Sequence, residues 1–341
     1  MERGLIMAFT AVTLWGFLDA TSRFSVTSMA VDPWLFSCIN LFAGAILMLL
    51  IAGRGHSRMG TLQYAHTWFF GFFRVLMTLF LVFAFTMISA SEVNFMLRIN
   101  VLLGMLAAYL LFGRRGQKTD IPGGVLLVVG FLIIALRQQD AFFNVAVVLV
   151  ILAAVCDTIM TVIAETHPVS NRATGIKARL RYTGFVLLVS SLFFMVIAFL
   201  LTQLRNAHLF EDDIIVAFLN NAPEMASFSH PSTWLAGILV GVFLRAPSMY
   251  LYLYAARLLK TENLMMAATI APFATLGAEG LLFAFGLMPT PTLDKLDVFA
   301  GAMMTFGALS MVFLRAGAAR KKAMAVDPAE QHTTPPLSNK E

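Results

Sequence analysis

Long apolar runs, separated by short polar segments, recur along most of the chain. Each run is about 17–25 residues long, the length of an α-helix that crosses a hydrocarbon core of about 30 Å. The runs do not alternate apolar and polar positions, as strands of a membrane barrel would. We therefore predict an all-α integral membrane protein with about ten transmembrane helices, near residues 5–26, 34–52, 67–88, 93–112, 121–136, 142–164, 182–204, 233–256, 264–286 and 297–315.

The composition agrees with a membrane protein, because only 13% of the 341 residues are charged and 59% are apolar. Soluble domains have about 25% charged residues. The formal net charge of +5 suggests nucleic acid as a partner only in a soluble protein. Here the excess follows from basic loops, so we predict a lipid bilayer as the surroundings and no nucleic-acid partner.

Basic residues concentrate in alternate loops, which predicts the orientation because cytoplasmic loops are enriched in lysine and arginine. With both termini cytoplasmic, only Arg137, Arg205 and Lys295 face the other side. The sequence thus predicts a multi-pass protein of the inner (plasma) membrane. The residues then assigned to the cytoplasmic side are Arg3, Arg54, Arg58, Arg114, Arg115, Lys118, Arg172, Lys177, Arg179, Arg181, Arg257, Lys260, Arg315, Arg320, Lys321 and Lys322.

The chain divides into two weakly similar halves, residues 1–138 and 139–318, followed by a segment 319–341 that we predict to be disordered. Gly71 and Arg74 recur as Gly241 and Arg245, and an acid lies in the first span of each half. With five spans in each half, the two copies run in opposite directions through the bilayer. Inverted repeats of this kind are common in transporters, with the site near the midplane between them.

Short motifs resemble the EamA-type transporters of the drug/metabolite transporter superfamily. The motifs are Leu14-Trp15-Gly16, the tyrosine-bearing segment 244–259, the proline-to-glycine spacing from Thr269-Ile-Ala-Pro272 to Gly286, and the glycine-spaced segment 301–314. Where this family has a proline in the first half, the chain has Arg98-Ile99-Asn100. The resemblance covers about residues 5–315 and implies a cavity between the halves that opens alternately to either side, with export as the expected direction.

Six charged residues lie well inside the predicted spans: Asp19, Arg74, Arg98, Asp157, Arg245 and Glu279. A charge at the centre of a transmembrane helix costs roughly 2.5–3.5 kcal/mol on the insertion scale. Together they would cost more than a typical net folding stability, so they must face a polar cavity or one another. Three acids and three arginines allow complete pairing.

Helical spacing places polar and aromatic groups beside these charges. We predict substrate contacts from Arg98, Arg245, Arg74, Tyr252, Trp15 and Asn94, because a guanidinium matches carboxylate or phosphate groups. The carboxyls of Asp19, Asp157 and Glu279 are candidates for proton coupling. Structural ion pairing is the alternative for all six charges. Pro247 and Pro272 lie inside spans and are candidate hinges, or else static bends.

The sequence contains neither a phosphate-binding Gly-x-x-x-x-Gly-Lys-Ser/Thr loop nor a His-Glu-x-x-His pair. All six histidines fall in loops, at span ends or in the C-terminal tail, and Cys38 and Cys156 lie in apolar spans. We predict no catalytic residue, metal or cofactor, and no enzymatic activity. Gly237 and Gly241 form a Gly-x-x-x-Gly match that suits packing within the bundle or in a dimer, so a monomer and a homodimer both remain open.

The function that follows is secondary active transport of a small polar solute, anionic or zwitterionic, by alternating access and with protons as a candidate coupling ion. Two alternatives stay open at this point. The first is a flippase or carrier for a lipid-linked phosphate head group, and the second is a membrane assembly factor that transports nothing.

Overall fold

The structure is a computed structural model that describes residues 2–29, 31–53, 60–87, 90–137, 144–173, 175–207, 222–287 and 295–330. These ranges are almost entirely helical and contain no strand. The α-helices are α1 (Glu2–Ser28), α2 (Pro33–Ala52), α3 (Ala65–Met87), α4 (Ala90–Met96), α5 (Asn100–Phe112), α6 (Ile121–Arg137), α7 (Val145–Thr166), α8 (Pro168–Arg172), α9 (Ile176–Ala207), α10 (Pro231–Val240), α11 (Ala246–Leu259), α12 (Thr261–Ala268), α13 (Ala271–Ala284) and α14 (Lys295–Glu330).

Local sequence sets the helix ends. The Asp32 carboxylate accepts hydrogen bonds from the backbone N–H groups of Trp34 and Leu35, at 2.9 and 3.0 Å, and so caps the start of α2. Pro33 follows at the first helical position, where its missing N–H costs nothing. At the other end, Gly53 has a φ of 62°, a left-handed conformation that ends the helix.

Nine segments within the described ranges are long and apolar enough to cross a membrane, which confirms an all-α, multi-pass membrane protein. The third predicted span, 67–88, coincides with α3, but the apolar stretch found there, Ala65–Leu81, is shorter than the others. The count of ten spans therefore stays a prediction. The nine segments are Arg3–Ser22, Trp34–Ala52, Val93–Phe112, Lys118–Arg137, Val145–Arg172, Ile176–Ala207, Pro231–Leu259, Asn263–Ala284 and Lys295–Arg315.

The last helix, α14, continues through Glu330. The predicted disordered segment begins at residue 319, so its first part is helical instead. Its sequence, rich in Ala, Lys, Arg and Met, explains the difference, since these residues have the highest intrinsic helix propensities. Residues 331–341 lie outside the described ranges.

Helices from residues 1–138 pack mainly against helices from residues 139–318. The most extensive pairs are α2 with α9, α3 with α7 and α6 with α14, while α1 lies against both α11 and α13. Two buried apolar clusters, one around Leu187 and Leu253 and one around Leu127 and Met304, fill the space between them. Most of the core therefore lies between the two parts of the chain.

Glycines let the backbones approach closely at several crossings. A Cβ atom added to Gly123 of α6 would lie 2.3 Å from the carbonyl oxygen of Gly307 in α14, and one added to Gly307 would lie 2.6 Å from that of Gly123. Gly237 and Gly241 pack in the same way against Ile39 and Asn40 of α2. Within this chain, the Gly-x-x-x-Gly match therefore serves packing inside the bundle.

We expect Gly123→Ala to lower the melting temperature of the purified protein, because the added methyl group meets backbone that cannot move aside. Overpacking of this kind costs about 1–3 kcal/mol. Gly277→Ala is the matched control, since a Cβ atom at Gly277 of α13 meets nothing within 4 Å. Thermal unfolding in detergent checks both variants, and equal melting temperatures would contradict the described α6–α14 crossing.

Candidate functional site

The six charged residues predicted inside the spans form one electrostatic network between the two parts of the chain. Asp19 of α1 lies within electrostatic range of all three arginines, Arg245, Arg74 and Arg98, and of Glu279 in α13. Asp157 of α7 lies within range of Arg98 and Arg74. The network therefore draws on the first, third, fourth, sixth, eighth and ninth predicted spans, which surround one central region of the bundle.

Asp19 is exposed although it lies in the middle of a long apolar helix. The outward face of α1 is an exposed stripe formed by Ile6, Thr10, Thr13 and Phe17. Asp19 comes two residues after Phe17, which places it about 200° around the helix from that stripe. Its exposed surface thus faces the inside of the bundle, and the space there can hold water or a solute.

A chain of aromatic and polar contacts borders this space. The rings of Trp15 and Tyr252 lie 4.8 Å apart between centroids. The Tyr252 hydroxyl shares a hydrogen bond of 2.6 Å with the hydroxyl of Thr161, which also donates to the Asp157 carbonyl at 2.9 Å. The Asn100 amide donates to the Asp157 carboxylate at 2.7 Å. Asp157 is therefore held in place by hydrogen bonds, whereas Asp19 is open.

The helices that carry this site are interrupted beside it. Arg98 lies in a short 3₁₀ turn, Leu97–Ile99, between α4 and α5. Arg245 ends a π-helical turn, Gly241–Arg245, between α10 and α11. The ninth span is broken between α12 and α13, just before Pro272. Irregular backbone at membrane depth is tolerated only where protein or a cavity satisfies its polar groups.

Arg98 satisfies the backbone at one of these interruptions. In a continuous helix the carbonyl of Ala268 would accept a hydrogen bond from the N–H four residues later, but that residue is Pro272, which has none. Arg98 Nη1 donates to this carbonyl instead, at 2.8 Å, and Arg98 Nε donates to the Asn94 carbonyl at 3.0 Å. The Arg98 side chain, only 6% exposed, thus joins the fourth span to the ninth.

The other two arginines, Arg245 and Arg74, differ in whether their guanidinium groups donate hydrogen bonds to the protein. Arg245, 8% exposed, donates through Nε to Asn40 Oδ1 of α2 at 3.0 Å. Arg74 of α3 is half-buried, and its guanidinium donates no hydrogen bond to any group in the described ranges. Arg74 is therefore the guanidinium best placed to meet a solute.

The remaining predicted site residues lie around the same region. Glu279 is buried in α13, and Asn94 is half-buried one turn before Arg98. Pro272 is buried at the start of α13, and Pro247 is half-buried directly after the π-helical turn. Asn40 is the polar neighbour that sequence reasoning missed, because a single asparagine in an apolar run carries no periodic signal.

Comparisons with known proteins concern the family of part of the chain and its fold. Residues 2–136 match the model of the EamA-like transporter family, which confirms the resemblance over the first half. One solved protein structure superimposes with a TM-score of 0.62 at 18% identity, over 92% of this chain and 98% of its own, and shows similarity of fold alone. No curated protein matches the sequence. The family match supports a membrane transporter.

We expect the effects of Arg98→Ala and Pro272→Ala on stability to be strongly coupled. Arg98→Ala leaves the Ala268 carbonyl unsatisfied and loses a charged hydrogen bond, which contributes about 1.5–3 kcal/mol. Pro272→Ala supplies the missing backbone N–H, so Arg98→Ala should cost much less in that background. Thermal unfolding of the four proteins of this double-mutant cycle measures the coupling. Additive effects would show that the Arg98–Ala268 bond does not compensate for the proline.

Proposed function

Because residues 2–136 match the model of the EamA-like transporter family, we propose that the protein is a secondary active transporter that exports a small anionic or zwitterionic metabolite by alternating access with proton coupling. One observation carries the proposal. Asp19 is exposed toward the interior of the bundle, at mid-helix, within electrostatic range of three arginines. A space lined in this way stabilises a charged solute that the bilayer would exclude.

The groups around the space indicate how a solute would bind. Arg74 presents a planar set of donors that matches a carboxylate or phosphate group. Within the described ranges, its guanidinium donates no hydrogen bond to a protein group. Trp15 and Tyr252 supply an aromatic wall for the apolar part of the solute. Arg245 adds positive charge from the opposite part of the chain. Next to the space, Arg98 donates hydrogen bonds to the Asn94 carbonyl of its own span and to a carbonyl of the ninth span, and so joins the two interrupted spans.

Proton coupling is assigned first to Asp19, because it is the accessible carboxyl of the three candidates. The nearby arginines balance its charge, so the ionised Asp19 carboxylate and an anionic solute compete for the same positive field, and protonation of Asp19 favours binding of the solute. The Asp157 carboxylate accepts a hydrogen bond from Asn100, and Glu279 is buried in α13. We therefore assign proton exchange with the medium to Asp19 and an electrostatic role to these two.

Alternating access needs contacts between the two parts of the chain that can break, and such contacts occur where α1 begins and α11 ends. We call this end the N-terminal face; Gly4 meets Leu259 there. Arg114 pairs with the Glu165 carboxylate, which also accepts two hydrogen bonds of 2.7 Å from the backbone N–H and hydroxyl of Thr261. Both oxygens of Glu165 are thus engaged in closing this face.

A second ion pair closes the same face. Arg315 of α14 binds both carboxylate oxygens of Asp120, through Nε at 2.8 Å and Nη2 at 2.7 Å. Like the Arg114–Glu165 pair, it joins residues 1–138 to residues 139–318. We propose that both pairs separate when the N-terminal face opens, with Pro247 and Pro272 as the hinges beside the interrupted helices.

The packing of the helices supports two inverted halves, residues 1–138 and 139–318. In such a repeat, α1 corresponds to α7, and α3 to the eighth span that includes α11. The symmetry that relates the halves predicts that, if α1 packs against α11, then α7 packs against α3. Both pairs do pack closely. We propose on this basis, and on the distribution of basic loops, that both termini are cytoplasmic and that the protein resides in the inner (plasma) membrane.

Transport should respond to a pH gradient, and Asp19→Asn should abolish that response while leaving solute exchange measurable. The assay is uptake of carboxylate- and phosphate-bearing solutes into proteoliposomes with and without the gradient. Thr13→Val is the matched control, because Thr13 lies on the outward stripe of the same helix and its hydroxyl bonds only the Phe9 carbonyl. A gradient response in Asp19→Asn equal to that of the wild type would remove Asp19 from coupling.

Arg74→Gln should reduce solute exchange on the order of tenfold or more in the same assay, since one charged hydrogen bond contributes about 1.5–3 kcal/mol. No exchange of any charged solute by folded, correctly inserted wild-type protein would count against the transporter itself.

Glu165→Gln should open the N-terminal face, because it removes the Arg114 ion pair and weakens the contact with Thr261. Spin labels at Lys118→Cys and Lys260→Cys, both exposed on this face in different halves, report the separation once Cys38 and Cys156 are replaced by serine. We expect a longer and broader distance distribution. Glu224→Gln is the control, because it removes only the exposed Arg205–Glu224 pair at the other end of the bundle. The same change in both variants would contradict the assigned gate.

A further inference from the structure

A second polar cleft lies at the N-terminal face, apart from the central charges. It is lined by Ser170 after α7, by Arg179 near the start of α9, and by Tyr250, Tyr254 and Arg257 of α11. Alternate positions on a helix point in nearly opposite directions, so the three tyrosines of α11 are shared between two places. Tyr252 borders the central space, and Tyr250 and Tyr254 border this cleft.

The segments that carry the two arginines of the cleft contain no acidic residue. No Asp or Glu occurs from residue 168 to 207 or from residue 246 to 261, the segments that line the cleft. The nearest acids that flank these segments are Glu165, which is engaged by Arg114 and Thr261, and Glu262, which follows Arg257 by five residues. The positive charge of the cleft is therefore not neutralised by the segments that form it.

The geometry of Arg179 leaves it ready for an anion. Its guanidinium carbon lies 3.8 Å from the centre of the Tyr254 ring, so the ring fixes the plane of the donors. Its Nε atom is buried and has no hydrogen-bond partner in the described part of the chain. A buried donor without a partner is costly, and a phosphate oxygen would satisfy it. Arg257 is anchored beside it by a 2.9 Å hydrogen bond to the Ala173 carbonyl.

Apolar side chains continue the cleft outward. Leu258, 42% exposed, follows Tyr250 and Tyr254 on the same face of α11, and Ile176, 66% exposed, lies one turn before Arg179 on α9. A ligand that fits both surfaces has an anionic phosphate group and hydrocarbon attached to it. Basic pockets between transmembrane helices bind phospholipid head groups by the same combination.

We propose that this cleft binds the head group of an anionic phospholipid, with its phosphate at Arg179 and Arg257 and its acyl chains along Ile176 and Leu258. The site is separate from the central space and does not depend on which solute the protein carries. Its occupant stays bound while α11, which carries Tyr252 on its other side, changes position during transport.

The test is the thermal stability of the full-length protein in detergent, titrated with phosphatidylglycerol, with phosphatidylcholine or with inorganic phosphate. We expect a saturable rise in melting temperature with phosphatidylglycerol only. Arg179→Gln should weaken the apparent affinity about fivefold, the effect of one basic residue near an anionic lipid. Arg179 is the decisive position because Arg257 also holds the Ala173 carbonyl and its loss could unfold this region.

Lys177→Gln is the matched control, since it removes one exposed charge from the same segment outside the cleft. It should leave the affinity within about twofold of the wild type, because charge outside the cleft contributes only screened, long-range attraction. An equal loss in Lys177→Gln would overturn the site in favour of general attraction to the basic face. Equal stabilisation by phosphatidylcholine would overturn the head-group assignment. Stabilisation by inorganic phosphate that matches phosphatidylglycerol would assign the cleft to a soluble anion instead of a lipid.

Discussion

Inside a bilayer no water is available to hydrogen-bond a free carbonyl or N–H group, so each interruption of a helix must be satisfied by the protein itself. This chain interrupts three of its spans beside the central charges. At the interruption of the ninth span, Pro272 cannot donate to the Ala268 carbonyl, and Arg98 donates to it instead. The hydroxyl of Thr305 in α14 donates to the carbonyl of the next residue, Thr269, at 3.0 Å. The broken ninth span therefore depends on side chains from two other spans.

This arrangement gives Arg98 two functions at once. Its hydrogen bonds go to backbone carbonyls, while its charge adds to the field that Asp157 and Asp19 experience. An arginine can do both because its guanidinium has five donors in a fixed plane. A lysine could supply the charge but would not span the two carbonyls in the same geometry.

Much of this could be predicted from the sequence, and the remainder could not for a definite reason. Apolar run lengths predicted the spans within a few residues, and the cost of burying charge predicted that six distant residues would share a polar region. Hydrogen-bond partners could not be predicted from the sequence. Asn40 and Arg245, for example, are far apart in the chain, and no spacing rule links them. The extent of α14 past residue 318 has no signal in the pattern of apolar runs, because polar, proline-containing sequence is typical of disorder, whereas the alanine, lysine and arginine residues there favour a helix.

The eighth span connects the features that a transport cycle would need. Its π-helical turn ends at Arg245, which binds α2 through Asn40, and its next residues include Pro247, where the helix cannot continue its regular bonding. Beyond the proline, α11 presents Tyr252 to the central space and Tyr254 to the basic cleft. A lipid head group bound at Tyr254 and Arg179 would therefore contact one side of the helix whose other side borders the central space. Because α11 borders both the central space and the basic cleft, a displacement of this helix would alter both.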